Sequence, residues 1–124
     1  MKRTEMLCKN YEFERVFRKG NYYNSKYLTI YVRPRVDDRL LLGITVSKQV
    51  KGSVKRNLVK RWLREVYSST EDDIYSGYEI IMYGRLKPEL MDYYKLANAW
   101  QKLIREANIY CPKVVEDSTD GPSI

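Results

Sequence analysis

Between Lys48 and Arg64 the chain carries seven cations (Lys48, Lys51, Lys55, Arg56, Lys60, Arg61 and Arg64) and no acid. Projected at about 100° per residue, residues 54–67 separate into two faces. Val54, Leu58, Val59, Trp62, Leu63 and Val66 occupy about half of the circumference, and Arg56, Asn57, Lys60, Arg61 and Arg64 occupy the other. The pattern predicts an amphipathic helix capped by Ser53 and running to about Tyr67. Lys55 falls among the apolar residues, but in the first turn its stem can carry the ammonium to solvent. Burying the apolar face fixes the rotation of such a helix and holds the cations in a rigid outward row. That concentration of like charge costs self-repulsion, which a polyanion would relieve; the alternative is a solvated helix face.

The other elements are shorter. Asn10 is the expected cap of a helix in which Phe13, Val16 and Phe17 recur at i, i+3 and i+4 before Gly20. Lys26 to Arg33 alternates as a strand, with Leu28, Ile30 and Val32 on one side and Tyr27, Thr29, Tyr31 and Arg33 on the other. Leu40 to Ser47 is a second extended run, and Tyr22-Tyr23 marks a short edge strand. Gly77 to Tyr83 is nearly continuous in apolar character, as in a strand covered on both faces. Pro88 opens a long final helix with Met91, Tyr94, Trp100, Leu103, Ile104 and Ala107 on its apolar stripe. The order αββ(β)αβα implies an α+β sandwich, one sheet with helices packed on it. A crossover from the strand before Ser53 to the strand after Gly77 is right-handed by default.

Composition narrows the function. The 124 residues include no histidine, which removes histidine-based nucleophilic, acid–base and metal chemistry. Cys8 and Cys111 stand 103 positions apart without the spacing of a zinc or dithiol motif, and read as ordinary intracellular thiols. No apolar run reaches the roughly 18 residues of a membrane span, and no secretory signal follows Met1, so a cytoplasmic location without a membrane partner is expected. Residues 1–111 read as a single domain and 112–124 as a disordered, acidic C-terminal tail. The net charge of +7 is therefore concentrated in the folded part. Asp72 and Asp73 could meet an ion together or form an acidic solvated loop.

A basic helix of this kind can track a folded RNA backbone through arginine forks, or read base edges in a DNA major groove. No second helix lies close before it to complete a helix-turn-helix. Phe13 and Phe17, with Tyr27 and Tyr31, would line a groove on which unpaired bases stack, unless the two phenylalanines are only core. Twelve tyrosines against two phenylalanines favour rings with a polar tip near water.

Residues Val54-Lys55-Arg56-Asn57-Leu58-Val59-Lys60-Arg61-Trp62-Leu63-Arg64-Glu65 resemble the signature helix of the protein component of bacterial ribonuclease P. Phe13-Glu14-Arg15-Val16-Phe17-Arg18-Lys19-Gly20 and Val46-Ser47-Lys48 are similar to further segments of that family, and the likeness covers roughly residues 7 to 109. Leu58 stands where the family usually has an arginine, and the glycine before the helix is displaced to Gly52 behind Lys51.

The resemblance implies an α-β sandwich of ribosomal-protein type with a left-handed βαβ crossover, contrary to the default. It implies an RNA-binding subunit of an endoribonuclease that removes the 5′ leader from precursor tRNA, with catalysis by an RNA and Mg²⁺ bound mainly by that RNA. Lys55, Arg56, Asn57, Lys60, Arg61 and Arg64 would then face the catalytic RNA. Phe13, Phe17 and Tyr31 would line a cleft for the single-stranded leader, with Lys9 and Lys48 near its phosphates; Tyr27 is added from strand parity. The partners implied are the catalytic RNA and precursor tRNA, and not DNA.

Overall fold

The computed structural model describes residues 3–111; the expected tail, 112–124, lies outside the described residues. The described elements are β1 (Thr4–Met6), α1 (Asn10–Lys19), β2 (Asn21–Asn24), β3 (Leu28–Pro34), β4 (Leu40–Val46), α2 (Ser53–Thr70), β5 (Tyr78–Gly84) and α3 (Tyr93–Glu106), with 3-10 turns at Glu71–Asp73 and Pro88–Leu90. The strands form one sheet in the order β1-β4-β5-β3-β2. Strands β4 and β5 are parallel neighbours joined through α2, β1 lies parallel to β4, and β3 runs antiparallel to both β5 and β2.

Strand alternation divides the apolar residues between the two sheet faces. Leu28, Ile30 and Val32 of β3, Leu40, Leu42 and Val46 of β4, and Ile80 and Met82 of β5 form the main core with Val59, Leu63, Val66 and Tyr67 of α2 and Leu96, Trp100, Leu103 and Ile104 of α3. The opposite face carries a smaller cluster of Leu7, Val16, Leu41 and Ile81, against which Phe13 and Tyr31 pack. Among the described residues α1 is therefore the one helix packed on that face. Apart from Glu79, β5 is apolar or aromatic because it lies in the sheet interior and both of its faces are covered.

Several local expectations are corrected. The N-cap of α1 is Lys9, not Asn10: Glu12 reaches back to accept from the backbone N–H groups of Cys8 and Lys9, each at 2.9 Å. Helix α2 is preceded by Gly52 at φ 90°, a left-handed conformation that glycine adopts freely, and Ser53 is already helical. Pro88 opens only a 3-10 turn; α3 starts at Tyr93, where the Asp92 carboxylate accepts from Lys95 N–H at 2.9 Å. Of the acids after α2, Glu71 turns inward, accepting from Arg3 N–H at 3.0 Å and from the Thr4 hydroxyl at 2.6 Å. These bonds tie β1, which periodicity did not reveal, to the end of α2.

Candidate nucleic-acid interface

Helix α2 is oriented by its buried residues Val59, Leu63, Val66 and Tyr67. Asn57, Arg61 and Arg64 are consequently exposed and Lys60 is half-buried. No ion pair among the described residues engages Lys60, Arg61 or Arg64. With Val54 and Leu58 these four side chains line a shallow depression along the helix.

Two members of the basic stripe are engaged inside the protein. The Arg56 guanidinium donates to the carbonyls of Ser47 at 2.9 Å, Val50 at 3.1 Å and Val46 at 3.2 Å, so it pins the β4–α2 loop onto the first turn of α2. Lys55 does reach solvent, where it pairs with Glu89, whose carboxyl is held below the usual carboxylate range by that contact. The pinned loop presents Lys48 and Lys51, which with Lys87 surround a second depression beside α2.

On the other face, Phe13, Phe17 and Tyr31 come together. The Phe13 ring sits on Gly43 of β4: a Cβ there would lie 2.6 Å from a ring carbon, so only glycine leaves room. Phe17, 40% exposed, lies 6.4 Å from Phe13 and meets Tyr31 edge-to-face at 4.7 Å between ring centroids. Phe13 is thus partly core, whereas Phe17 and Tyr31 carry the row toward solvent. Register puts Gly43, Ile81, Tyr31 and Tyr22 in one line across the sheet, and the Tyr22 ring continues the row 6.1 Å beyond Tyr31. Beside α1, the buried Glu79 carboxylate accepts from Arg15 at 2.6 Å, from Arg33 at 3.2 Å and from Arg35, fixing three guanidinium groups next to the aromatic row.

Tyr27 does not belong to this row. A turn in which Ser25 and Leu28 bond to each other ends the alternation, β3 starts at Leu28, and Tyr27 packs on the main core beside Lys26 and Lys95. Lys9 lies before α1 with its ammonium 5.9 Å from the Tyr11 ring, and among the described residues no ring or hydrogen-bond contact joins Lys9 or Lys48 to the row. Sequence reading missed Tyr22 and also Tyr83, which faces the same side as Ile81 and is paired with Thr29. Alternation in β5 was the available signal for Tyr83, hidden by the nearly continuous apolar run around it.

A family model described as Ribonuclease P matches residues 1–108. The chain belongs to the ribonuclease P protein family. It is 35% identical over 115 residues to the ribonuclease P protein component of Natranaerobius thermophilus, covering 93% of this chain and all of that one. To the component from Clostridium botulinum strain 657 it is 38% identical over 105 residues, covering 84% and 95%. Among solved structures, the Staphylococcus aureus RNase P protein superposes with a TM-score of 0.76 at 26% identity over 85% of this chain and 96% of that one. For the Thermotoga maritima RNase P protein the TM-score is 0.69 at 25% identity, with 82% and 96% covered. This ribonuclease P family member is accordingly a subunit of a ribonucleoprotein endoribonuclease acting in tRNA 5′ processing, in partnership with the ribonuclease P RNA. Among the described residues no helix is long and apolar enough to cross a membrane.

Proposed function

We propose that the outer face of α2 docks on the catalytic RNA through Asn57, Lys60, Arg61 and Arg64, while the aromatic row over the sheet holds the single-stranded 5′ leader of precursor tRNA. The observation that carries this reading is that Lys60, Arg61 and Arg64, engaged by no ion pair among the described residues, stand on a helix whose opposite face is buried. Guanidinium groups held in this way meet phosphates without first breaking internal ion pairs. The row of Phe13, Phe17 and Tyr31 supplies sequence-tolerant stacking for unpaired bases.

In this reading phosphodiester hydrolysis belongs to the RNA, and Mg²⁺, held mainly by that RNA, supplies the charge stabilisation of the reaction. The described residues offer no group of three or more histidine, cysteine, aspartate or glutamate side chains that could hold a metal, and no protein residue is assigned to it. The protein's share is to bind and position: Lys55 and Arg56 shape the start of α2, and Lys48 and Lys9 add positive potential around the leader. The complex works in the cytoplasm, with no role for a membrane or DNA.

Phe17→Ala is the test of the cleft. Binding of precursor tRNA by the reconstituted holoenzyme should weaken about 5- to 150-fold, the range of one base–aromatic stack, with mature tRNA unaffected. Equal losses for both substrates would reduce Phe17 to a packing residue.

A further inference from the structure

We infer that Tyr22 extends the leader-binding surface by one stacking position, taking an unpaired nucleobase beyond Tyr31; the inference rests on the cleft reading above. Tyr22 lies on β2, the edge strand of the sheet, directly opposite Tyr31 of β3. Its neighbour Tyr23 has the opposite parity and packs on the main core. Tyr22 instead stands on the α1 side, 65% exposed, with its ring tilted 39° to that of Tyr31. The ring contributes little burial there, yet it continues a row from α1 through β3 to β2 whose other members touch in sequence.

Fixed cations flank both sides of the row's outer end. Arg33, two residues from Tyr31 along β3, is anchored on Glu79. On the other side Arg85 donates to Asn24 Oδ1 at 3.0 Å and to the Ser25 carbonyl at 2.6 Å, and Asn24 is two residues from Tyr22 on the same face. A single strand stacked along the rings therefore runs its phosphates beside one guanidinium or the other, which is the arrangement that sequence-tolerant single-strand binding uses. Beyond Tyr22 the sheet ends, so the surface has one additional position.

The experiment places 2-aminopurine at successive leader positions of precursor tRNA bound to the holoenzyme reconstituted with ribonuclease P RNA, and reads the fluorescence that stacking quenches. Tyr22→Leu, which keeps bulk but removes the π face, should brighten one position distinct from those that respond to Phe17→Leu and weaken affinity about fivefold, the lower end for one stack. Tyr22→Phe should leave both unchanged. If Phe17→Leu brightens positions and Tyr22→Leu brightens none, the extension is wrong and the cleft stands. A single position responding equally to both means that Tyr22 only props Tyr31, which also overturns the inference. No response to either variant refutes the cleft itself.

Discussion

Tyr67 shows how a buried hydroxyl links the parts of this protein. Its ring lies 5.8 Å from that of Trp100, and its hydroxyl is 2.8 Å from Thr4 Oγ1, which in turn bonds to Glu71. Burial pushes its pKa up to about 12, because the phenolate would lose its hydration. Since the fold favours the protonated form, the stabilisation is complete below about pH 10, the unfolded value, and is lost as the pH rises through about 12. The shift corresponds to roughly 2–3 kcal/mol. Denaturant unfolding of the wild type and Tyr67→Phe between pH 9 and 12 should show the wild type losing stability more steeply; parallel curves would contradict the assignment. Glu79 plays the same organising role on the other face: a carboxylate fully removed from water pairs with three guanidinium groups, which it holds in place.

At the scale of elements, α2 divides its cations by task. Arg56→Ala removes the guanidinium donor shared by the carbonyls of Val46, Ser47 and Val50, of which Ser47 still accepts from Val50 N–H at 3.0 Å, and should cost about 1–3 kcal/mol in denaturant unfolding of the free protein. Arg61→Ala should leave stability within about 0.5 kcal/mol and instead reduce the dependence of log K on log salt for binding ribonuclease P RNA by roughly 0.7–0.9. An unchanged salt slope for Arg61→Ala would move the RNA contact off this face. The outward placement of Asn57, Arg61 and Arg64 was legible because a period of 3.6 leaves one solution for which side is buried; the inward engagement of Arg56 was not, since it depends on where the β4–α2 loop carbonyls fall. Strands β3 and β4 were likewise legible from alternation and length, and β5 from its short, nearly continuous apolar run. β1 was not, being three residues that pair with the distant β4 and bond, with Arg3, to Glu71 beyond α2. Tyr27 was misassigned because the Ser25–Leu28 turn interrupts the alternation one residue before the strand, and α3 starts late because Met91 is extended between the Pro88 turn and the Asp92 cap.

The whole molecule places two unlike surfaces on a rigid sheet: a row of cations on a helix packed against one face, and a row of aromatic rings on the other. The chain's lack of histidine fits a subunit that binds and positions while RNA performs the chemistry. On this reading the protein enables an RNA catalyst and cleaves nothing by itself. The direct measurement is cleavage of precursor tRNA at low Mg²⁺ by bacterial ribonuclease P RNA alone, by this protein alone, and by the two together. Release of the 5′ leader is expected only from the combined reaction. Cleavage by the protein alone, or a combined rate no higher than that of the RNA, would contradict it.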